Sequence, residues 1–467
     1  MPQPRILLLS LLLCPALSGC GDRHGDARPE SAVSPPTPPG SIVLVTIDTL
    51  RADHLGVYGY PRRVSPFLDR MASQGILFLD AHSAISHTAP AHASLFTSLY
   101  PQQHRLLRNG EPLADSLLTL AELLGDRGYE TGAFVAAGFL RGLADGFDTF
   151  EVQGPPSPPA TSTLAAARDW MAERAGRRTF VWIHLFDVHQ WYVDQDVDPR
   201  SAEEARARTP QPADGWAAFL AEAHGVAIGR PGRRREALEA IDRYDGQLLR
   251  VDRALEEFFD SLEARAAEEH ALWIVTSDHG EGLGAHGFLG HGKNLYEEQL
   301  RVPLLLRFPG DGSAGLRIHR PVQLLDLFPT LADLTGGLDP LPSTIGGRSL
   351  VPLLRGADLF EERPLFAERR PADRHELESG WDAGKLLSYR DGSWKLILSS
   401  AGRLELYDLA ADPLELHDRS ADEPEVLERL RAELLRRFRQ LRADGAAVET
   451  REIDPEHVKE LEALGYL

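Results

Sequence analysis

Short apolar runs alternate with stretches of helical spacing along most of this chain. Runs rich in β-branched residues are typical of strands buried on both faces of a parallel sheet; they occupy residues 41–47, 132–136, 180–186, 272–276 and 302–308. Between them, residues 117–124 and 235–262 carry apolar side chains mostly at three- and four-residue steps, which predicts helices. The alternation predicts an α/β fold built on a doubly wound, mostly parallel sheet.

The pattern changes after about residue 360. Three short strands are predicted at residues 385–389, 394–398 and 404–407, separated by turn residues, and a helix is predicted at 425–441. Neighbouring strands joined by short turns indicate an antiparallel sheet. We therefore predict an α/β body over residues 41–360 and a subdomain over 361–467, with a small antiparallel sheet and one packing helix.

The first forty residues predict export. Arg5 precedes the apolar run Ile6 to Leu13, and Leu17-Ser18-Gly19-Cys20 follows, as in a secretory signal. The ending resembles a bacterial lipoprotein signal, in which the cysteine is acylated; an ordinary signal peptide cut nearby is the alternative. Residues 1–20 are thus expected to be a signal peptide and 21–40 a Pro-rich tether. A lipid on Cys20 would anchor the protein to the cell-envelope membrane, on the periplasmic or extracellular face.

The net charge of the chain argues against a nucleic-acid partner. The 467 residues carry a formal net charge of −20. A nucleic-acid interface needs clustered Lys and Arg, so no nucleic-acid partner is expected.

Four polar residues follow or adjoin apolar stretches. Asp48 ends the first apolar run, and Asp278 and His279 end a later one; Thr88 lies on a small-residue turn between them. Side chains at the carboxyl ends of parallel strands converge on one crevice. Two acids, an imidazole and a hydroxyl together indicate a metal-activated nucleophile. The alternatives are a polar turn that caps a helix for Asp278-His279 and a helix N-cap for Thr88.

In these residues the chain resembles the sulfatase family of the alkaline phosphatase superfamily. The matching stretches are residues 46–56, 93–101, 184–189, 277–281, 291–298 and 406–413. The resemblance implies an alkaline-phosphatase-like fold, in which helices sandwich a mostly parallel sheet and a small antiparallel sheet with a helix follows at the C-terminus.

The resemblance also implies a metal site. Asp48, Asp278 and His279 fall where the family binds one divalent cation. Thr88 falls where sulfatases carry the Cys or Ser that becomes formylglycine, the nucleophile and a further metal ligand. His92 stands at the place of the motif's arginine, where it is expected either to contact the anion of the substrate or to serve the structure of the helix start.

Three further residues complete the predicted catalytic set. His189 and Lys293 stand where the family holds a His and a Lys against the sulfate oxygens and the leaving group. His291, like His286 in the same Gly-rich loop, is a candidate for contact with substrate or a second cation. Either His189 or His291 is expected to protonate the leaving oxygen.

Several positions depart from the family's pattern. Threonine at 88 cannot mature to formylglycine and has a single hydroxyl, as in the superfamily's Thr-nucleophile phosphodiesterases and phosphoethanolamine transferases. Thr49 replaces an Asp and His279 replaces an Asn, which favours Zn²⁺ or Mn²⁺ over Ca²⁺. The segment 136–139 lacks the family's Lys-Trp-His, which removes two cationic contacts to the anion; Arg108 and Asn109 are candidates to replace them.

The resulting hypothesis is a metal-dependent hydrolase of sulfuric or phosphoric esters with a Thr nucleophile. Its substrate would be an anionic ester on a sulfated or phosphorylated glycan, lipid or small molecule. Two alternatives stay open: a phosphoethanolamine-like transferase, and an inactive homologue that binds a metal and an anion.

Overall fold

The strands form two sheets in a computed structural model of the chain. The structure describes residues 38–154, 158–193, 198–209, 231–268, 270–309, 314–339, 341–356, 361–378, 380–445 and 448. The predicted signal peptide and residues 21–37 of the tether lie outside this part, and the domain boundaries at 20, 40 and 360 stay predictions. No helix within the described ranges combines the length and the apolarity that a membrane crossing requires.

The larger sheet carries nine strands within the described residues. They are β1 Ser41–Ile47, β2 Ile76–His82, β3 Glu130–Val135, β4 Thr149–Val152, β5 Thr179–Leu185, β6 Leu272–Thr276, β7 Arg301–Arg307, β8 Leu316–Ile318 and β9 Val322–Gln323. The order is β4-β3-β5-β1-β6-β7-β2-β8, and β9 also pairs with β2. Strand β1 lies in the middle and runs parallel to both β5 and β6. Only β7 runs against its neighbours β6 and β2 in this described sheet.

Twelve α-helices lie within the described residues: those of the α/β body cover both faces of this sheet, and the last two follow in the C-terminal subdomain. They are α1 Pro66–Gln74, α2 Thr88–Thr97, α3 Pro101–His104, α4 Leu120–Asp126, α5 Ala160–Glu173, α6 Pro199–Ala207, α7 Pro231–Glu268, α8 Glu297–Leu300, α9 Leu327–Thr335, α10 Val351–Leu354, α11 Arg374–Glu378 and α12 Pro424–Asp444. Alternate residues of β1 point to opposite faces, as the two-residue repeat of a strand requires. Ile42 and Leu44 join one apolar core cluster, whereas Val43 and Val45 join another.

The smaller sheet and its helix follow at the C-terminus. Strands β10 Leu365–Arg369, β11 Leu386–Asp391, β12 Trp394–Ser399 and β13 Leu404–Asp408 pair antiparallel in chain order. Leu430 and Leu434 of α12 are buried in one cluster with Leu396 of β12. Both parts of the predicted fold are therefore confirmed: a mostly parallel sheet between helices, and a small antiparallel sheet with one helix.

A buried lysine links the two sheets. The ammonium of Lys395, on β12, lies 2.8 Å from a carboxylate oxygen of Glu297 and 2.8 Å from one of Glu415. Glu297 opens the short helix α8 before β7, so this cation connects the α/β body to the C-terminal subdomain. Burial by itself would raise the pKa of Glu297, but Lys395 and His82 hold it well below the ordinary value.

His286 makes a second connection between these parts. Its Nδ1 lies 3.2 Å from Glu298 Oε1 and its Nε2 lies 3.1 Å from the carbonyl oxygen of Glu415. Both partners only accept hydrogen bonds, so the ring carries both protons. The ring also stacks on Tyr296, with centroids 3.6 Å apart. Burial alone would lower the pKa of His286, but the Glu298 carboxylate raises it to about 9.

Replacing Lys395 by Met should strongly destabilise the protein. The change removes the cation between two buried carboxylates, and breaking a buried pair in this way costs about 3–5 kcal/mol. Urea unfolding measures the loss. Arg429→Met is the matched control, because Arg429 and its partner Asp391 are half exposed and such a pair contributes about 1 kcal/mol or less. Equal losses in the two variants would contradict the assigned role of Lys395.

The free energy of unfolding should fall at alkaline pH because His286 loses a proton there. The folded-state pKa of about 9 exceeds the ordinary value of 6.5. Stability from His286 is therefore complete below about 6.5 and disappears as the pH rises through about 9, a change of roughly 2–3 kcal/mol. Urea unfolding at several pH values, compared with His286→Gln, isolates this contribution. Parallel pH profiles for the two proteins would refute it.

Candidate metal centre and active site

Two neighbouring strands deliver the predicted metal ligands to one place. Thr46 of β1 pairs with Thr276 of β6, so Asp48 and the Asp278-His279 pair leave the sheet side by side. One ligand atom from each of these three side chains lies within 4.8 Å of the other two. All three side chains are buried. The structure thus brings together the three residues that the sequence analysis assigned to a metal.

The carboxylates of this cluster lack compensation. Both oxygens of Asp48 and Oδ2 of Asp278 are buried without a hydrogen-bond partner among the described residues; Oδ1 of Asp278 accepts the Thr49 N–H at 3.2 Å. Burial, and then the charge of Asp278, raise the pKa of Asp48 well above its ordinary value. Unpaired buried carboxylates are costly. A cation between them would offset that cost.

His279, the third predicted ligand, has the lone pair of its Nε2 available for a metal. His279 Nδ1 lies 2.9 Å from the carbonyl oxygen of Gly280, to which it donates a hydrogen bond. The neutral ring therefore keeps the lone pair on Nε2, which lies 3.4 Å from Asp278 Oδ2. Burial, and then the neighbouring His291, lower the pKa of His279 to about 3. A neutral imidazole with its second nitrogen bonded to a carbonyl is the usual form of a metal-binding histidine.

Thr88 lies at this cluster. It is the first residue of α2, and its Oγ1 is 3.3 Å from His279 Nε2. The N-cap position of the helix belongs to His87, and Thr88 makes no capping bond. Asn109 Oδ1 accepts the Ala89 N–H at 2.9 Å and so secures the start of the helix. The hydroxyl of Thr88 therefore faces the acid and imidazole cluster rather than the helix backbone.

His92 lies on α2, one turn beyond Thr88. Its Nδ1 donates to the carbonyl oxygen of Thr88 at 2.8 Å, and its Nε2 lies 3.0 Å from Thr46 Oγ1. Burial, and then His184, lower the pKa of His92 to about 3. Both ring nitrogens of this neutral side chain are engaged within the protein, so the contact that the structure shows for His92 is with the backbone of Thr88.

His184 is a site residue that the sequence analysis did not single out. It projects from β5 and is fully buried, with Nδ1 3.0 Å from Thr46 Oγ1 and Nε2 3.3 Å from Asp48 Oδ2. Its signal in the sequence was an imidazole inside an otherwise apolar strand. The Thr46 hydroxyl thus contacts both His92 and His184, and it also accepts the indole N–H of Trp182 at 3.0 Å.

The predicted acid-base histidines lie next to each other. The ring centroids of His189 and His291 are 5.0 Å apart, and His291 is 4.7 Å from the ring of His279. Burial, and then His291, lower the pKa of His189 well below its ordinary value. Burial also opposes protonation of His291, but Glu281 raises the pKa of that ring above 6.5. The two pKa values are shifted in opposite directions, which favours His291 over His189 as the proton donor.

Lys293 and Arg108, the two cationic residues proposed to contact the anion, make contacts with other side chains of the protein. The ammonium of Lys293 lies 4.2 Å from the centre of the Phe288 ring, a contact within its own loop. Arg108 pairs with Asp373 of the C-terminal subdomain. Both the catalytic role of Lys293 and the idea that Arg108 replaces the missing Lys-Trp-His segment stay predictions.

A second group of acids and a histidine does not suit a metal. Asp80, His82 and Glu297 also bring ligand atoms within 4.8 Å of one another. Here, however, Arg390 pairs with Asp80 at 2.7 Å and Lys395 pairs with Glu297. Resident cations already neutralise these carboxylates, in contrast to those of Asp48 and Asp278.

Family models and curated relatives match most of this sequence. The family model described as Sulfatase matches residues 41–338, and the model described as N-sulphoglucosamine sulphohydrolase, C-terminal, matches residues 284–444. The steryl-sulfatase of Mus musculus is 28% identical over 461 aligned residues, which cover 78% of this chain and 72% of that protein. The N-acetylgalactosamine-6-sulfatase of Canis lupus familiaris is 28% identical over 386, covering 72% and 70%.

A solved structure supports the same fold. The phosphonate monoester hydrolase of Agrobacterium radiobacter superposes with a TM-score of 0.67 at 22% identity, covering 87% of this chain and 96% of that one. The sulfatase model alone spans well over half of the sequence, including Asp48, Thr88 and the Asp278-His279 pair. The chain therefore belongs to the sulfatase family, and it is an ester hydrolase.

Proposed function

We propose that this chain hydrolyses sulfuric or phosphoric esters with a divalent cation and the hydroxyl of Thr88 as nucleophile. One observation carries the proposal: three uncompensated carboxylate oxygens of Asp48 and Asp278 are buried beside His279 Nε2, which in turn lies 3.3 Å from Thr88 Oγ1. A buried negative cluster next to an alcohol is the arrangement that a metal-activated nucleophile needs.

The donor set suits one divalent cation. Asp48, Asp278, His279 and Thr88 would hold it, which gives one nitrogen among oxygen donors. That mixture favours Zn²⁺ or Mn²⁺, with Ca²⁺ as the alternative, because Ca²⁺ prefers oxygen donors alone. When bound, the cation would lower the pKa of the Thr88 hydroxyl and polarise an oxygen of the ester.

The chain's own residues supply the remaining steps. Thr88 Oγ, its proton released to solvent, attacks the phosphorus or sulfur atom, and the bond to the leaving oxygen breaks with its electron pair on that oxygen. His291 gives the leaving oxygen a proton. Water then attacks the Thr88 ester, His291 takes a proton from that water, and the bond from phosphorus or sulfur to Thr88 Oγ breaks with its electron pair on Oγ, which is then ready for the next turnover. The neutral His189 and the cationic Lys293 are proposed to bind the remaining oxygens of the ester.

The substrate is proposed to be an anionic ester. Support comes from the names of the relatives, which include sulfatases of steroid and amino-sugar esters, and from a phosphonate monoester hydrolase of similar fold. Because threonine has a single hydroxyl, its ester intermediate needs water to break it. The proposal therefore includes phosphorus esters on an equal footing with sulfate esters.

Cation binding should stabilise the folded protein. Zn²⁺ or Mn²⁺ at a hundred times its dissociation constant should add about 2.7 kcal/mol to the free energy of unfolding relative to protein with a chelator. Asp278→Asn should lose this gain. Without metal, the variant should be more stable than wild type, because one of two neighbouring buried charges is gone. Thermal unfolding measures both effects, and a midpoint indifferent to metal and chelator would contradict the site.

Turnover of an ester panel tests the nucleophile and the substrate class together. The panel contains sulfate monoesters, phosphate monoesters, phosphate diesters and phosphonate monoesters, each assayed with Zn²⁺, Mn²⁺ or Ca²⁺. Thr88→Val, which keeps nearly the same shape without the hydroxyl, should lower kcat at least about 10³-fold. Thr88→Ser is the matched control and should retain turnover.

Each outcome has a distinct meaning. Turnover retained in Thr88→Val would remove Thr88 from the nucleophile role. Release of the alcohol with transfer of the acid group to an added acceptor would favour the transferase alternative. A wild-type protein that binds metal and cleaves none of the esters would refute the proposed function.

A further inference from the structure

Glu281 lies behind His291, and no step described above uses its carboxylate. The side chain is fully buried two residues after His279. Its Oε2 lies 3.3 Å from His291 Nδ1 and accepts the indole N–H of Trp191 at 3.1 Å. Its Oε1 accepts the N–H of Gly282 at 3.1 Å. Three donors therefore converge on one carboxylate.

Hydrogen bonds also fix the backbone at Glu281. Arg51 Nη1 donates to the carbonyl oxygens of Glu281 and Gly282 at 2.9 and 3.1 Å. Arg51 is itself fixed by a two-pronged bond to Asp53, at 2.8 and 2.6 Å. Because Arg51 follows β1, Trp191 follows β5 and Glu281 follows β6, the carboxylate is anchored to three neighbouring strand ends.

This anchoring fixes the orientation of the His291 ring. A carboxylate oxygen only accepts hydrogen bonds, so Nδ1 of His291 must carry the hydrogen between them. With Nδ1 committed to Glu281, only Nε2 remains to exchange a proton with another group. The same ring packs against His279 and His189, at centroid distances of 4.7 and 5.0 Å. The ring is therefore confined between the metal ligand His279 and the second histidine.

We propose that Glu281 is the positioning residue that aims His291 Nε2 at the leaving oxygen. The inference rests on the proposed function, in which His291 Nε2–H gives up its proton as the bond from phosphorus or sulfur to that oxygen breaks. Glu281 touches neither substrate nor metal ligand in this role and acts only through His291. A carboxylate behind a histidine is a recurrent device for fixing the ring and the tautomer.

Glu281→Gln tests the role with little change in shape. The amide replaces one oxygen by an NH₂ group, and all three partners of Glu281 are donors. If the NH₂ group takes the place of Oε2, it faces the N–H groups of His291 and Trp191; if it takes the place of Oε1, it faces the N–H of Gly282. In both orientations the hydrogen bond that orients His291 is weakened. Glu281→Asp retains the charge but shortens the side chain, and it serves as the second variant if the first does not fold.

The chain offers a matched control at His286, the other histidine of the same loop. Glu298 Oε1 lies 3.2 Å from His286 Nδ1, which is the same kind of contact as that between Glu281 and His291. Glu298→Gln should disturb the loop similarly, but His286 takes no part in the proposed reaction. Any loss of turnover in Glu298→Gln should be the same for every ester.

The measurement is the dependence of kcat on the leaving group. A good leaving group such as 4-nitrophenol needs no proton, whereas phenol and simple alcohols do. With metal saturation verified by metal analysis, Glu281→Gln should lose about 10- to 100-fold in kcat on phenyl and alkyl esters and less than about threefold on 4-nitrophenyl esters. Combined with His291→Gln, it should cause little further loss, because both changes remove one function.

Three results would overturn the inference. One is an equal loss on all leaving groups, another is full additivity with His291→Gln, and the third is leaving-group dependence in Glu298→Gln of the same size. In each case the wild type still turns over and the proposed function stands. If the wild type cleaves no ester of any class, the proposed function fails and this inference fails with it.

Discussion

The site depends on two carboxylates forced together inside the protein. Asp48 and Asp278 follow adjacent parallel strands at the same edge of the sheet. Because β1 and β6 pair in a fixed register, the positions of both acids are fixed as well. Three of their four oxygens have no hydrogen-bond partner among the described residues. Such an arrangement is unfavourable by itself. The cation of the proposed function would offset that cost.

The neutral histidines around the acids follow from the same constraint. His92, His184 and His279 are fully buried, and burial holds the pKa of each ring below its ordinary value. None of them adds a permanent positive charge that would compete with a cation for Asp48. The Thr46 hydroxyl contacts two of these rings and so joins helix α2, which carries Thr88, to strand β1, which leads to Asp48. The polar interior is therefore one connected framework rather than separate contacts.

Sequence patterns predicted the fold, and they also predicted that Asp48, Asp278 and His279 lie together. Strand β1 and the Asp278-His279 turn were readable because each acid follows an uninterrupted apolar run. Strand β2, residues Ile76–His82, was missed because its apolar run ends in Asp80, Ala81 and His82 without a turn residue. The antiparallel direction of β7 was also beyond reach, since the direction of a strand leaves no mark in its own pattern.

The partners of the site were harder to predict than its centre. Glu281 and His184 lie inside recognised stretches, but their roles depend on which atoms their side chains meet. The bond of Glu281 to Trp191 spans 90 residues and that of His184 to Thr46 spans 138. One sequence gives no distance between such positions. His92 shows the reverse case, because a resemblance suggested an anion contact while its ring nitrogens bond to Thr88 and Thr46.

The distance along the chain between the two acids affects when the site can exist. The Thr49 N–H donates to the Asp278 carboxylate across 229 residues. Most of the α/β body must therefore be synthesised before Asp278 can join Asp48. Closing so long a loop costs chain entropy before any contact repays it. During synthesis Asp48 is a lone carboxylate with no special affinity for cations. Under the proposed function, the cation would therefore bind late, in the compartment in which folding finishes.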